Sequence, residues 1–494
     1  MTENPYRRGD EIDLVLDQAA FEGKCVGRTE GFVIFVEGAV PGDVVRVKLL
    51  KVKKNFAEAS VVSILSPSPV RVEPRCKHFG VCGGCKWQHV DYQAQLRFKQ
   101  QHVIDAFERI GGFSELNIFP IIGSENQYFY RNKMEYSFSD MEWVEVLPEK
   151  STPSTSPDPQ SPYNDSSSII SPLPAHQNVF LGLHVPQRYD KVLEIQECHL
   201  QSQLSNRVLN FVRMFSRDHR FDVYSSKQEA GYLRFLVIRQ SVRTKELMVN
   251  LVTFEHRPDV MRLFTEELRK EIPEVTTIVN TINRKRSQIA FGEEEFVYLG
   301  KGSIHETLGG LTFTISPASF FQTNTVQAEK LYQVAASFAN LKPEDVVWDL
   351  YSGTGSIALV LSAMVKEVVG IESVHSAVKD AERNARHNSV TNCRFILGDL
   401  KDCLTKDTAW MEKGKKPDVM VIDPPRSGMH SKVVEEILAL APSRIVYVSC
   451  NPATQARDVK LLCDQKYRLT ALQPVDIFPH TYHVENVVQL MERI

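Results

Sequence analysis

No run of about 18 or more apolar residues occurs in this chain, although a helix needs about that many to cross a bilayer. The sequence therefore predicts no membrane-spanning helix. The first residues, Met-Thr-Glu-Asn-Pro-Tyr-Arg-Arg, also lack the apolar core of a secretion signal. We expect a cytoplasmic protein that does not bind membranes.

An excess of positive charge is missing too. Lysine and arginine number 58 against 61 acidic residues, a formal net charge of −3, so any nucleic-acid site must come from local basic clusters. Cysteine is sparse: nine residues, odd in number and unevenly spread, do not form a disulfide framework. They are typical of thiols and metal ligands in a reducing compartment. The length predicts about two to four domains.

The N-terminal part, residues 6–65, alternates apolar and polar side chains in short runs separated by turns such as Pro41-Gly42-Asp43. Short, evenly spaced strands predict a small β-barrel. The run at residues 46–54 carries a basic strip without an acid, formed by Arg46, Lys48, Lys51, Lys53 and Lys54. Such a strip can follow nucleic-acid phosphates, but taken alone it is more often a solvated strand face.

A cysteine cluster follows the barrel. Cys76, Cys82 and Cys85 lie within ten residues, and Cys198 is the candidate fourth ligand far downstream. Four thiolates suit zinc or a [4Fe–4S] cluster. The spacing is neither the paired C-x2-C of a zinc ribbon nor the C-x3-C-x2-C of radical enzymes, which favours iron–sulfur. No redox partner is visible, so we favour a structural or RNA-docking role for the cluster over electron transfer.

Two further segments stand out between the barrel and the C-terminal part. Residues 92–110 have the pattern of an amphipathic helix, which Gly111-Gly112 ends. Residues 149–176 are rich in serine and proline and almost free of apolar side chains. We expect them to form a disordered insertion.

From residue 342 onward the pattern repeats strand, turn and helix. Short apolar runs, mostly rich in β-branched residues, occupy 346–350, 368–371, 394–397, 419–422 and 445–448. This alternation predicts a doubly wound parallel sheet, in which ligands bind beyond the carboxyl ends of the strands. Polar or reactive residues follow all five runs: Tyr351, Glu372, Asp399, Asp423 and Cys450. We therefore expect them to share one pocket.

The first of these runs leads into a nucleotide-type turn. Gly353-Thr-Gly-Ser-Ile-Ala358 fits the loose fingerprint G-x-G-x-x-A, and Glu372 has the spacing of an acid that binds ribose hydroxyls. NAD and S-adenosylmethionine sites share this geometry. Asp349 before the turn and Asp399, placed to meet an adenine edge, favour the methyl donor. Each acid taken alone could also be a helix N-cap.

The last two runs carry the candidate chemistry. Asp423-Pro-Pro-Arg426 fixes a carboxylate at the pocket rim, where it could accept from a ring N–H such as N3 of uracil. Cys450 lies at a strand end before a helix start, where we expect an exposed sulfur and a lowered pKa, hence a nucleophile. A lone thiol is otherwise usually a buried structural residue. Near the C-terminus, Glu485 could serve as a general base.

Together these residues resemble the RNA uridine-5-methyltransferases that combine a TRAM domain, an iron–sulfur central domain and a methyltransferase domain, of the 23S rRNA (uracil-5-)-methyltransferase type. The resemblance covers nearly the whole chain. It rests on Pro41-Gly42 with the basic strip, Cys76, Cys82, Cys85, Cys198, Ser319-Phe-Phe-Gln322-Thr-Asn324, Asp423-Pro-Pro-Arg-x-Gly428, Ser449-Cys-Asn-Pro452 and His483-Val-Glu485.

The resemblance implies a multidomain α/β architecture. An OB-like TRAM barrel that binds RNA would span residues 1–66, an α+β central domain with the cluster residues 67–310, and a Rossmann-like class I methyltransferase domain residues 311–494. The helix at 92–110 would pack on the catalytic domain despite its early position. We expect the protein to act as a monomer.

The resemblance also implies the chemistry. Cys450 would add to C6 of a uridine, C5 would take the methyl group of S-adenosylmethionine, and Glu485 would remove the C5 proton. Cys76, Cys82, Cys85 and Cys198 would hold a [4Fe–4S] cluster, and Asp423 would read the uracil or support the site. The cofactor contacts would come from Gln322, Tyr351, Ser356, Glu372, Asp399 and Asp423. Ser356 stands where the family often has Asn.

Ribosomal RNA is the favoured substrate, and the T-loop of transfer RNA is the nearest alternative. Two other classes of protein are alternatives. An NAD-dependent iron–sulfur oxidoreductase would explain the cluster but leave Asp423 and Cys450 without a role. A non-catalytic RNA-binding factor with a dead pocket is disfavoured because Cys450 and Glu485 are both present.

Overall fold

The computed structural model describes residues 5–143, 179–185, 191–404 and 416–493. The insertion expected at 149–176 lies outside the described residues. Within those four ranges no helix combines the length and the apolar character that crossing a membrane requires.

The N-terminal strands form a closed barrel in the order β1-β2-β3-β5-β4. The strands are β1 (Glu11–Ala19), β2 (Cys25–Thr29), β3 (Phe32–Glu37), β4 (Val44–Val52) and β5 (Phe56–Ser66). Alternate side chains of β4, from Val45 to Leu49, fill the interior, as the period of two predicts.

The basic strip on β4 is partly neutralised by acids from neighbouring strands. Arg46 forms an ion pair with Asp13 of β1 at 2.8 Å, and Lys51 lies 3.8 Å from Glu58 of β5. The sequence showed no acid within the strip itself. Strand pairing brings these carboxylates to the strip from elsewhere in the chain, which the sequence of the strip alone does not show.

A seven-stranded mixed sheet forms the central part, in the order β12-β11-β10-β9-β6-β7-β8. Its elements, with the helix that precedes them, are α1 (Tyr92–Arg109), β6 (Lys133–Ser139), β7 (Phe180–His184), β8 (Val192–Glu194), α2 (Gln203–Asp218), β9 (Leu233–Gln240), β10 (Leu247–Thr253), α3 (Pro258–Glu271), β11 (Thr277–Ile282) and β12 (Glu294–Leu299). Helices α2 and α3 pack on one face of this sheet and bury a continuous apolar core.

The C-terminal part contains a second seven-stranded sheet, in the order β17-β16-β15-β18-β19-β21-β20. Its elements are β13 (Ile304–Leu308), β14 (Leu311–Ile315), α4 (Thr325–Ala339), β15 (Val346–Leu350), α5 (Ser356–Ser362), β16 (Glu367–Glu372), α6 (His375–His387), β17 (Cys393–Leu397), α7 (Leu400–Cys403), β18 (Val419–Ile422), α8 (Ser431–Leu440), β19 (Arg444–Ser449), α9 (Pro452–Gln465), β20 (Tyr467–Val475) and β21 (Glu485–Glu492). Strands β15 to β19 run parallel, and β21 is antiparallel to both of its neighbours. The predicted doubly wound parallel sheet is thus confirmed for these five strands.

Helices cover both faces of this sheet, which explains why its strands are nearly continuous apolar runs. Helices α4, α5 and α6 pack on one face. The other face is covered by α8, α9 and α1, which contributes Val103 and Phe107 although it precedes the sheet by more than 200 residues in the chain. The hairpin β13-β14 also packs on the α4 side, and it spans the boundary expected at residue 311.

A buried ion pair fixes α1 to the sheet. The Lys99 Nζ donates to Asp476 Oδ1 at 2.6 Å, and both side chains are fully buried. Tyr92 donates to the second oxygen of Asp476 at 2.9 Å. Such a pair gives little net stability but is costly to break, so it locks the position of the residues that follow β20.

Candidate active site and cysteine pocket

Five strands of the catalytic sheet end at the same edge, and each is followed by a polar or reactive residue. Tyr351, Glu372, Asp399, Asp423 and Cys450 lie at or just after the ends of β15, β16, β17, β18 and β19. Because parallel strands end on one side of their sheet, residues far apart in sequence meet there.

A cavity of about 380 Å³ opens at this edge. Tyr351, Glu372 and Asp399 line it together, along with Pro425 and Gly428 of the Asp-Pro-Pro-Arg-x-Gly motif. Gln322, Ser356 and Asp423 are not among its lining residues. The structure therefore gathers three of the six residues predicted to bind a cofactor around one cavity.

The carboxylate of Glu372 organises the turn beside the cavity. It accepts from the backbone N–H of Gly353 at 3.0 Å and from that of Val374 at 2.8 Å. Asp399 is the N-cap of α7 and also pairs with Lys401, whose backbone and side chain hold the pKa of this carboxyl below its usual value. Asp399 is thus both an N-cap and a cavity residue.

The glycine turn brings the backbone close to the sheet. Gly355 has φ +78°, and a Cβ there would lie 2.8 Å from the ring of Phe395. Below the turn, Asp349 accepts from the backbone N–H of Ala358 at 3.1 Å. Its other oxygen and the hydroxyl of Ser352 are buried without a hydrogen-bond partner within the described ranges. Buried polar atoms of this kind are costly unless a ligand satisfies them.

Ser356 and Gln322 make other contacts. The Ser356 hydroxyl is 2.8 Å from the hydroxyl of Tyr332. The backbone carbonyl of Gln322 accepts from the amide of Asn132 at 2.9 Å, which joins this loop to the central part of the chain. The Phe320 carbonyl accepts from Thr354 in the glycine turn at 3.3 Å, so the loop that carries Gln322 lies against that turn.

Cys450 and Glu485 come together because of strand register. In the ladder between β19 and β21, Ser449 pairs with Asn486. Cys450 comes directly after the last paired residue of β19, and Glu485 comes directly before the partner of that residue in β21. The two residues therefore lie at the same end of the ladder. Charge on Glu485 in turn acts on the Cys450 thiol.

The expected low pKa of Cys450 is wrong for the free protein. The pKa of the thiol is raised to about 11, mainly by burial and then by the neighbouring carboxyls of Glu485 and Asp423. The sequence argument considered the helix start and could not include these two acids. Arg426 opposes them, since its charge and a hydrogen bond to the sulfur favour the thiolate.

The two carboxyls beside Cys450 are themselves perturbed. Burial raises the pKa of Asp423 to about 7. Glu485 is only 5% exposed, and burial followed by the charge of Asp423 raises its pKa well above the usual value, while Arg426 lowers it. A carboxyl with a raised pKa is a stronger base once it is ionised.

Arg426 is the site residue that the sequence reasoning missed. Asn451 and Thr454 at the start of α9 donate to its backbone carbonyl at 3.0 and 3.3 Å. These contacts join the loop after β18 to the residue after Cys450. The available signal was its place in the motif Asp423-Pro-Pro-Arg426, in which only Asp423 was given a role.

The four cysteines of the predicted cluster line a second cavity, of about 300 Å³. These residues are Cys76, Cys82, Cys85 and Cys198. The Gly84 N–H donates to Cys82 Sγ at 3.4 Å, and the Gln88 amide donates to Cys85 Sγ at 3.3 Å. In the ranges that the structure describes, no group of three or more His, Cys, Asp or Glu side chains has the arrangement that holds a metal ion.

Comparisons with known proteins agree with this geometry. Residues 232–493 match the family model described as tRNA (Uracil-5-)-methyltransferase, and residues 7–62 match the TRAM domain. An uncharacterized RNA methyltransferase of Chlorobaculum tepidum is 43% identical over 485 residues, which cover 98% of this chain and 96% of the relative. The chain belongs to the TRAM-containing RNA uracil-5-methyltransferase family.

Other members of the family support the same assignment. An uncharacterized RNA methyltransferase of Bacteroides thetaiotaomicron is 42% identical and matches over 95% of this chain and 99% of its own length. The structure of the Pyrococcus abyssi tRNA (uracil-54, C5)-methyltransferase in complex with S-adenosyl-L-homocysteine has a TM-score of 0.70 and 27% identity, and covers 97% of this chain. The chain is thus an RNA (uracil-5-)-methyltransferase, with the expected N-terminal barrel and methyltransferase fold.

The opposing charges around Cys450 give a test of its environment. Arg426→Gln should raise the pKa of the thiol further and slow its alkylation by iodoacetamide at pH 8. Glu485→Gln removes the acid that most disfavours the thiolate, so alkylation should become faster. Below the pKa of about 11, each pH unit should change the rate by about tenfold.

Quantitative mass spectrometry of the peptide that contains Cys450 separates this thiol from the other eight cysteines. Cys463, whose pKa is also raised to about 11 by burial, serves as an internal control because neither substitution lies beside it. Equal alkylation rates at Cys450 in the wild type and both variants would contradict the electrostatic account.

Proposed function

We propose that this protein transfers a methyl group from S-adenosylmethionine to C5 of a uridine in structured RNA, through a covalent bond between Cys450 and C6. The observation that carries the proposal is the meeting of a thiol, an arginine and a buried carboxyl at the strand edge that also holds a nucleotide-sized cavity. Covalent activation is needed because C5 of uracil is a poor nucleophile.

The residues around the cavity suit S-adenosylmethionine. We assign the adenosine to the cavity, with Glu372 at the ribose and Asp399 and Tyr351 near the base. The partnerless oxygen of Asp349 and the hydroxyl of Ser352 would accept from the amino group of the methionine part. The complex of the Pyrococcus abyssi relative with S-adenosyl-L-homocysteine supports this choice over NAD.

Gln322 and Ser356 keep a role in this proposal as residues of the loops that border the glycine turn. Asp423 is assigned to the uracil. With a pKa raised to about 7, it can donate to a carbonyl oxygen when protonated and accept from N3–H when ionised. Either hydrogen bond would hold the base beside Cys450.

The proposed reaction has three steps on this chain's residues. The Cys450 thiolate, stabilised by Arg426, adds to C6, and the electrons of the C5–C6 double bond become available at C5. C5 then takes the methyl group of bound S-adenosylmethionine; the sulfonium S–CH3 bond would break and leave S-adenosylhomocysteine. Glu485 removes the proton on C5, the C5–C6 double bond forms again, and the C6–S bond breaks to release the Cys450 thiolate.

The raised pKa values fit this sequence of events. In the free protein, burial raises the pKa of both Glu485 and Cys450 and so disfavours their charged forms before substrate arrives. A positively charged methyl donor in the adjoining cavity would favour the ionised forms of both groups. The uridine must leave its base stack to reach Cys450, because the site lies in a recess of the protein.

We also propose that Cys76, Cys82, Cys85 and Cys198 hold a [4Fe–4S] cluster. The four thiols surround one cavity, and N–H donors contact two of the sulfurs. Burial raises the pKa of Cys82 and Cys85 to about 12, which a cationic cluster would reverse. The cysteine spacing, which is not the paired C-x2-C of a zinc ribbon, favours iron–sulfur over zinc.

Anaerobically purified protein should therefore contain iron and acid-labile sulfide in equal amounts, about four of each per chain. Cys198→Ser should lower both together. Cys463→Ser, which changes a cysteine of the catalytic core, should leave them unchanged. Zinc in place of iron and sulfide would contradict the cluster assignment.

For the substrate, we propose ribosomal RNA, specifically 23S rRNA, because TRAM barrel and cysteine cluster occur together. The second candidate is transfer RNA, which the family description and the name of the Pyrococcus abyssi relative favour.

The proposed reaction predicts different outcomes for the two catalytic substitutions. With radiolabelled methyl donor and separate unmodified rRNA and tRNA pools, the wild type should form 5-methyluridine in one pool. Cys450→Ala should abolish labelling yet still bind the donor. Glu485→Gln should give a protein–RNA adduct that resists denaturation, because the C5 proton cannot leave. Turnover by Cys450→Ala at the wild-type rate would exclude Cys450 as the nucleophile. Nucleoside analysis identifies the product as 5-methyluridine, and the pool that carries the label identifies the RNA class.

A further inference from the structure

Glu485 is delivered to the active site by residues 476–484, which connect β20 to β21 and are termed here the base strap. Ile477 and Val484 of the strap are buried in the cores of its own sheet, and side chains from other parts of the molecule hold the residues between them. At its start, Lys99 donates to Asp476 and also to the carbonyl of Phe478 at 2.9 Å. Tyr130 donates to the carbonyl of Pro479 at 3.1 Å.

The centre of the base strap is His480, and the residues after Cys85 hold its backbone. The N–H groups of Lys86 and Trp87 both donate to the His480 carbonyl, at 2.9 and 3.0 Å. His480 has φ +65°, a left-handed conformation that is uncommon for a residue with a side chain. Such a conformation persists only where neighbouring contacts enforce it.

Gln95 of α1 completes this junction. Its side-chain oxygen accepts from the His480 N–H at 2.8 Å, and its amide nitrogen lies 3.2 Å from His480 Nδ1. The same nitrogen donates to the carbonyls of Trp87 and Val90, at 3.0 and 2.9 Å. Gln95 is fully buried, so its amide binds the strap and the cysteine segment at once without competition from water.

The His480 ring fits this arrangement as a neutral group. Burial lowers its pKa to about 4, so at neutral pH Nδ1 can share a hydrogen of the Gln95 amide with the backbone carbonyls that the amide also contacts. The ring also packs against that of Tyr128, with centroids 4.3 Å apart and the planes tilted by 32°. Both contacts fix the strap five residues before Glu485.

We propose that Gln95 is a positioning residue for the proton-removal step: by joining His480 to the segment that follows Cys85, it sets where Glu485 stands relative to Cys450. The inference rests on the proposed role of Glu485 as the base. It assigns a catalytic consequence to a residue on a helix outside the methyltransferase sheet. It also makes the cysteine pocket and the base strap a single unit, because only one peptide bond separates Cys85 from Lys86.

The consequence is specific to one step. Adduct formation needs Cys450, Arg426 and the methyl donor, none of which Gln95 contacts. Resolution of the adduct needs the Glu485 carboxylate at the C5 proton, and a misplacement of about 1 Å can slow such a step by about a hundredfold. A displaced strap should therefore slow release of the enzyme from methylated RNA more than it slows attack.

The test compares Gln95→Leu with Gln101→Leu, the same change at an exposed position of α1. With labelled donor and the RNA pool that the wild type methylates, Gln95→Leu should lower turnover by about tenfold to a hundredfold. It should also accumulate denaturant-resistant protein–RNA adduct, as Glu485→Gln does. Gln101→Leu should match the wild type in both. Turnover and adduct that fall together in Gln95→Leu would indicate a general loss of structure and overturn the inference.

A double-mutant cycle separates coupling from unrelated damage. If Gln95 acts through Glu485, adding Gln95→Leu to Glu485→Gln should cause little further loss of turnover. Losses that multiply would overturn the proposal. Should Gln95→Leu fail to fold, Gln95→Glu keeps the size of the side chain and the acceptor for the His480 N–H while removing the amide donors, and the same comparison applies.

These controls distinguish a failure of Glu485 as the proposed base from a failure of Gln95 as a positioning residue. Glu485→Gln without any adduct would mean that the proposed base is wrong, whatever Gln95 does. Adduct in Glu485→Gln together with normal turnover in Gln95→Leu would leave the proposed function intact and reject the positioning role.

Discussion

The active site depends on the register of one antiparallel strand. β21 lies between β19 and β20 and runs against both, so its first residue stands at the edge where the parallel strands end. Glu485 thereby meets Cys450, although 35 positions separate them in the chain. A one-residue slip of β21 would turn Glu485 to the other face of the sheet. The position of Glu485 relative to Cys450 is thus set by the backbone hydrogen bonds between β19 and β21.

Burial then disfavours the charged forms of the residues that strand register brings together. Asp423, Cys450 and Glu485 all have raised pKa values in the free protein, and for each the first cause is loss of contact with water. Arg426 is the cation that acts on both the thiol and Glu485. The site therefore disfavours the charged forms of its reactive groups, and a cationic donor that enters the cavity would favour them. Ligand binding, in this account, both supplies the methyl group and prepares the residues that use it.

The base strap extends this control beyond the catalytic sheet. Its anchor, Lys99 with Asp476, and its central junction, Gln95 with His480, both begin on α1, which packs on the sheet across α9 and β20. The early helix therefore belongs to the catalytic unit by its contacts. This explains why a methyltransferase domain drawn only from the C-terminal sequence would lack the residues that hold its proposed base in place.

Local pattern was enough to predict the five parallel strands of the catalytic sheet, because they read as apolar runs and all but β17, at the sheet edge, are buried on both faces. Val346–Leu350 and Val419–Ile422 have the predicted bounds, and the other three parallel strands differ by one residue at one or both ends. The rule for parallel strand ends also placed Tyr351, Glu372 and Asp399 at one cavity. Glu485 could not be found by that rule, since it begins a strand, and it came from the resemblance to a family.

Contacts between distant segments explain what the sequence could not provide. The thiol pKa was wrong in direction because the fold buries Cys450 and because the acids beside it come from other strands. The basic strip of the barrel was partly neutralised for the same reason, by Asp13 and Glu58. Gln95 carried no signal at all, because a glutamine on an amphipathic helix is ordinary until its neighbours are known.

The most direct test of covalent methylation uses RNA that contains 5-fluorouridine, with S-adenosylmethionine and the wild-type protein. After methyl transfer, C5 would carry fluorine where Glu485 must remove a proton, so the complex should stop as a stable adduct. Digestion and mass spectrometry should find a methylated fluorodihydrouridine attached to the peptide that contains Cys450. Attachment to another residue, or methylation of ordinary RNA with no adduct from the fluorinated RNA, would contradict the account.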